Sequence, residues 1–144
     1  MKLNHVAVRL PRTALDEPSR SDILSFCGAV FGWREGDNAG EPDDPLVMTT
    51  GSFGEFVYLA RSDDPALISE RGELDHFGVL VESIDEMKAM SERASAHESA
   101  DRKAHVTDIG ARTTNGPTAT YTLTSCYITY APLPTVEIQH LRRH

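Results

Sequence analysis

Leu3-Asn4-His5-Val6-Ala7-Val8 and Leu74-Asp75-His76-Phe77-Gly78-Val79 are one pattern written twice, with the second histidine 71 positions after the first. Leu, His and Val recur at matching places, and Ala7 and Gly78 are both small. Apolar β-branched or aromatic residues alternate with others, the period-two signature of a strand. A repeat offset of about half a 144-residue chain predicts two similar modules rather than one irregular fold.

Helix signals follow each copy. Ser19-Arg20-Ser21-Asp22 and Ser83-Ile84-Asp85-Glu86 both fit the capping box, in which a serine hydroxyl and an acid three residues on satisfy open backbone N–H groups. After the first, Ile23, Phe26, Cys27, Val30 and Phe31 share one helical face and Gly32 ends the helix; after the second, Ile84, Met87 and Met90 make a shorter stripe before the polar run Ser91 to Lys103. Strands are predicted at Phe31–Arg34, Leu46–Thr50 and Glu55–Arg61, separated by turn-rich Gly36–Pro45 and Gly51–Gly54. In the second half they are predicted at His105–Ile109, Ala119–Tyr130 and Thr135–Leu141, broken by Thr114-Asn115-Gly116-Pro117 and by Pro132 and Pro134. The result is α+β: two βαβββ modules, residues 1–61 and 73–144, joined by polar Ser62–Gly72 within one domain, 1–144. That length suits one domain.

Composition narrows the function classes. With 40% hydrophobic and 25% charged residues the chain can bury a core of its own. Fourteen basic against 22 acidic residues leave a net charge of −8, which repels a phosphate backbone, so nucleic acid is not an expected partner. No run approaches the roughly 18 apolar residues of a membrane span, and the N-terminus has no apolar signal core, so no membrane association and a cytoplasmic location are expected. Cys27 and Cys126 have no CxxC partner, which argues for buried small hydrophobes over a disulfide framework or a thiolate zinc site.

Strand register selects the candidate site. Val6, Val8 and Leu10 form an apolar face that belongs under the helix, leaving His5, Ala7 and Arg9 on the other; likewise Phe77, Val79 and Val81 oppose His76, Gly78 and Leu80. Near the end, Val136 and Ile138 place Glu137 and Gln139 on the histidine face, and in Phe56-Val57-Tyr58-Leu59-Ala60 it is Tyr58 that stands where Glu137 stands. Two imidazoles and a carboxylate make a facial triad with open positions for water or substrate, and an open Zn²⁺ site uses the same ligands. The expected metal ligands are His5, His76 and Glu137. Tyr58 is an expected catalytic residue, with Arg9, Gln139 and Trp33 as substrate contacts. Ligation needs neutral imidazoles, so metal affinity is expected to weaken in acid.

These residues resemble the vicinal oxygen chelate superfamily, which includes glyoxalase I, extradiol dioxygenases, methylmalonyl-CoA epimerase and the fosfomycin- and bleomycin-resistance proteins. The resemblance spans nearly the whole chain. It rests on Leu-Asn-His5-Val-Ala-Val, Val30-Phe31-Gly32-Trp33, Leu-Asp-His76-Phe-Gly-Val and Val-Glu137-Ile. It implies an open, eight-stranded, barrel-like mixed sheet with flanking helices around a divalent metal, with Fe, Mn, Zn or Ni as the candidates. His5, His76 and Glu137 match the family's first, third and fourth ligand positions, and Tyr58 falls at the second, where glyoxalase I and the epimerase carry Glu or Gln. Tyr127, ten residues before Glu137, resembles the dioxygenases' active-site tyrosine, but no histidine lies between Glu55 and Asp75 to match their catalytic one. Ala7 stands where fosfomycin-resistance proteins have threonine, and Ala131-Pro132-Leu133-Pro134 replaces the usual Asp-Pro-Asp-Gly turn. Two functions follow: a metal-dependent enzyme of glyoxalase or dioxygenase type whose small substrate chelates through adjacent oxygens, or a metal-free drug-binding protein. Small members often dimerise, so a homodimer is expected.

Overall fold

A computed structural model of the chain describes residues 4–36, 45–51, 54–68 and 75–144. Positions 1–3, 37–44, 52–53 and 69–74 lie outside the described residues, and with them most of the turn-rich stretches, the end of the connector, and the leucines at positions 3 and 74. The chain divides into two compact units, Met1–Gly72 and Glu73–His144.

The first unit begins with β1 (His5–Pro11), followed by a 3-10 turn over Arg12–Leu15, α1 (Glu17–Phe31), β2 (Arg34–Glu35), β3 (Leu46–Thr49) and β4 (Phe56–Ser62). The sheet order is β1-β4-β3-β2, with β1 parallel to β4 and the other pairs antiparallel. Parallel pairing needs a long crossover, which α1 supplies. Its buried side, Ile23, Phe26, Cys27 and Val30, is the face read from the sequence. Leu10, Met48, Val57 and Leu59 from the strands are buried too. Burying side chains of this size stabilises by about 1.5–3 kcal/mol each.

The helix starts earlier than the capping box indicates. Asp16, not Ser19, is the N-cap, and its carboxylate accepts from the Ser19 backbone N–H at 3.0 Å. Pro18 costs nothing there, because a first-turn N–H has no intrahelical acceptor. Gly32 ends the helix at φ 74°, a left-handed backbone that glycine adopts without strain. The helix includes Phe31, so the strand read at Phe31–Arg34 shrinks to β2. Arg20, buried in α1, reaches Glu35 of β2 at 3.3 Å and ties helix to sheet.

The second unit holds β5 (His76–Leu80), α2 (Ile84–Ala100), β6 (Ala104–Val106), β7 (Gly110–Asn115), β8 (Thr120–Tyr130) and β9 (Thr135–Arg143). Its order is β5-β9-β8-β6, and β7 also pairs with β8. Ser83 caps α2 as read, accepting from the Glu86 N–H at 3.1 Å, while the Glu86 carboxylate accepts from the Glu82 N–H at 3.1 Å. Met87 and Ala94 are buried, and α2 packs on β6, β8 and β9. Behind them Cys126, Ile128, Val136 and Ile138 complete the apolar side of the sheet.

The architecture is thus the α+β pair of βαβββ units expected, with one strand more among the described residues than the eight expected. The addition is β7. Its six residues are all exposed and none is strongly apolar, so no alternation of hydrophobicity marks it. Ladder pairing with the long β8 forms it instead. No helix among the described residues is long and apolar enough to cross a membrane.

Candidate functional site

The repeat in the sequence is a repeat in register. β1 aligns Ala7 with Tyr58 of β4, and β5 aligns Gly78 with Glu137 of β9. Ala7 and Gly78 are equivalent positions, so Tyr58 is the structural counterpart of Glu137. Burial alternates as expected: His5, Ala7 and Arg9 are the exposed side of β1, and His76, Gly78 and Leu80 that of β5.

In the second unit this face gathers four side chains. His76 Nε2 lies 3.3 Å from Glu137 Oε2, with the imidazole one-third exposed and the carboxylate almost wholly buried. Gln139, two residues along β9 and therefore on the same face, donates its amide N–H to the same oxygen at 2.7 Å. Tyr127 is directly opposite Glu137 on β8. Its ring meets His76 edge-on at 5.4 Å, and it shares a side-chain hydrogen bond with Glu137.

Glu137 dominates the electrostatics. Its hydrogen bond, then burial, then its negative charge all push the Tyr127 phenol above the ordinary tyrosine value, against a smaller downward pull from Arg112. Tyr127 therefore keeps its proton at neutral pH and presents a donor. Glu137 also raises Cys126, although burial is the larger cause there. Arg112, on the unmarked β7, escaped the sequence reading, and Gly78 was placed there on the histidine face without a role. The facing of Gly78 and Glu137 was legible in the paired registers.

The first unit keeps the scaffold and changes the chemistry. His5 stacks on Phe56, ring centres 4.8 Å apart and planes 4° from parallel. Its Nδ1 is 2.8 Å from the Asn4 side-chain oxygen, an acceptor. That bond calls for a proton on Nδ1 and leaves the Nε2 lone pair outward, the tautomer of a metal-ligating histidine. Tyr58 is half-buried on this face and Arg9 exposed at its edge. Trp33 is 6% exposed and packs against Phe31, with ring centres 4.6 Å apart.

The donor chemistry in the second unit fits a divalent cation. A neutral imidazole lone pair and a carboxylate oxygen 3.3 Å apart repel unless a proton or a cation lies between them. Two ligands at ~2.1 Å from one ion and at right angles stand about 3.0 Å apart, close to that spacing. Within either unit, no group of three His, Cys, Asp or Glu among the described residues is gathered to hold an ion. The structure thus brings together His76 and Glu137 of the expected ligands, along with Tyr127 and Gln139. The remaining four histidines lie elsewhere: His97 is in the last turn of α2, His105 pairs with Glu98 at 2.8 Å, His144 meets Thr122 at 2.7 Å, and His140 is on the other side of β9 from Glu137.

No family model matches the sequence, and neither does any curated protein. Solved structures do match over nearly the full length. The fosfomycin resistance protein FosX from Listeria monocytogenes is 14% identical, with 96% of this chain and 90% of that one covered and a TM-score of 0.58. The chain carries the vicinal oxygen chelate fold. Lactoylglutathione lyase from Agrobacterium tumefaciens shares it at 16% identity, 96% and 92% coverage and a TM-score of 0.55. So does a glyoxalase/bleomycin resistance protein/dioxygenase from Alicyclobacillus acidocaldarius, at 15%, 96%, 90% and 0.57. At such identities the likeness carries the vicinal oxygen chelate architecture and leaves the chemistry to this chain's own residues.

Proposed function

We propose that this chain is a divalent-metal-dependent enzyme whose small substrate chelates the metal through adjacent oxygens. The observation that carries the reading is the His76 Nε2 to Glu137 Oε2 approach of 3.3 Å. The proposed ligands are His76, Glu137 and His5, the last on the strength of the sequence repeat and its Asn4-held tautomer. A variant of FosX has been solved with Mn(II) and 1S,2S-dihydroxypropylphosphonic acid, which makes Mn(II) a reasonable first probe.

When bound, the cation would act as a Lewis acid, polarising two substrate oxygens and stabilising negative charge on them. The chain's residues do the rest. Tyr127 is a protonated phenol at neutral pH and can hold or deliver its proton at a substrate oxygen, while Tyr58, Arg9 and Gln139 are the proposed substrate contacts; Trp33, packed against Phe31, is too buried for that part. The two units are taken to act as one domain, in a cytoplasmic homodimer.

A direct test is isothermal titration of the chelator-stripped chain with Mn(II), Zn(II), Ni(II) and Fe(II). Saturable binding of one ion, lost in His76→Ala, supports the reading; no binding of any of the four sinks it. The second reading, a metal-free drug-binding protein, is favoured by the His5–Phe56 stack and Tyr58, which give the first unit an aromatic face. On that reading an aromatic cation raises the Tm and a chelator leaves it unchanged.

A further inference from the structure

We infer that Gln139 is the positioning residue of Glu137: its amide fixes the carboxylate's rotation, so that one oxygen is presented to the cation in a set direction. This rests on the metal reading above. Glu137 is 5% exposed and so has little access to water that might order it. Its Oε2 is the oxygen that faces His76, and the Gln139 amide N–H reaches that same oxygen at 2.7 Å. A carboxylate oxygen has two lone pairs, so one can take the amide donor while the other stays available toward His76. Tyr127 stands directly opposite Glu137 on the neighbouring strand β8, which leaves the carboxylate little room to turn away from the amide.

Gly78 lies beside this arrangement. A Cβ built there would lie 3.6 to 3.8 Å from the amide carbon, oxygen and nitrogen of Gln139, so a methyl group would just reach van der Waals contact with the amide and a larger side chain would press on it. Register explains the fit: Gly78 faces Glu137 across the β5–β9 ladder, and Gln139 follows Glu137 by one full strand repeat. A longer side chain at position 78 would occupy the space the amide uses. The amide also contributes no ligand charge of its own, unlike a second carboxylate at the same distance.

Partners of this kind, which orient a ligand without touching the metal, are typically worth 10- to 100-fold in metal affinity. The test measures Mn(II) affinity by isothermal titration and the EPR line shape of bound Mn(II) in the full chain, in Gln139→Met, in Glu137→Gln and in the double variant. Methionine keeps the length of glutamine and removes the donor. The expected result is a roughly 10- to 100-fold weaker affinity in Gln139→Met with an altered line shape, while the Tm of the metal-free chain moves by no more than about 2 °C. In the Glu137→Gln background the same change should cost less than about twofold, because the partner it acts through is already altered. An equal loss in both backgrounds, or none in either, overturns this role and leaves the metal reading standing. Failure of the unaltered chain to bind Mn(II), Zn(II), Ni(II) or Fe(II) overturns both. Gly78→Val gives a second approach that leaves Gln139 unchanged: it should weaken Mn(II) binding in the native background, and unchanged affinity there overturns the packing argument.

Discussion

The two units place different residues at the same register position. Ala7 faces Tyr58 in the first and Gly78 faces Glu137 in the second, each at the same place in a parallel strand pair. In the second unit the carboxylate attracts an imidazole, an amide and a phenol around itself. In the first, the imidazole stacks on Phe56 and no acid stands at the matching place. A duplicated scaffold therefore does not imply a duplicated site. One buried carboxylate organises a polar cluster, whereas an aromatic residue in its place favours ring stacking.

The largest expected effect tests that difference. Glu137→Ala should reduce divalent-metal affinity by at least about 100-fold, as loss of a direct ligand must exceed the 10- to 100-fold cost of losing an orienting partner. Tyr58→Phe should leave it within about twofold. Isothermal titration of both variants decides, and comparable losses would show that the two positions share one role.

Packing comes next. Phe26→Ala in α1 should cost about 3–5 kcal/mol and Met87→Ala in α2 about 2–5, since each is fully or almost fully buried. Denaturant titration of both would show whether the units unfold together or apart, and coincident transitions in each variant would mark a single cooperative domain.

Alkaline stability should report on both buried cysteines. Burial pushes the Cys27 thiol up to about 12. A raised folded-state pKa means that the unfolded chain loses its proton first, so this contribution is intact below about pH 9 and is lost as pH climbs toward 12. The full span corresponds to about 4 kcal/mol. Stability of the native chain should therefore fall more steeply above pH 9 than that of Cys27→Ala. Cys126 is raised in the same direction, and its substitution should flatten the same limb.

The phenols should differ more gently. Tyr127 should ionise above the ordinary tyrosine range in an ultraviolet titration and return toward it in Glu137→Gln, because the hydrogen bond and charge that raise it come from that carboxylate. An unmoved titration would mean that Glu137 does not control Tyr127. The smallest expected effect is at the caps: Asp16→Ala and Ser83→Ala should each cost about 1 kcal/mol. A markedly larger loss at Ser83 would show that α2 depends on its cap more than α1, in keeping with its narrower apolar stripe.

Much of this was legible in the residues. Alternation of apolar positions in Val6-Ala7-Val8 and Val136-Glu137-Ile138 fixes which side chains share a face, because the strand period is two whatever surrounds it. Gly32 as a helix stop and Ser83 as a cap are equally local, resting on a left-handed backbone and a side-chain oxygen within three residues. The start of α1 was misjudged because Asp16 and Ser19 are both competent caps and the choice between them depends on how the chain leaves β1.

Sequence by itself determined the duplication, the apolar and polar faces of each strand, and the residue types on offer at the site, since all follow from short-range periodicity. Only the tertiary structure decided that Gln139 turns its amide onto Glu137, that Tyr127 reaches the same carboxylate, that Trp33 is buried against Phe31, and that β7 exists. The physical reason is common to all four. Each depends on a partner brought close by ladder pairing or packing, and strand periodicity carries a side chain's direction but not the identity of the group it meets.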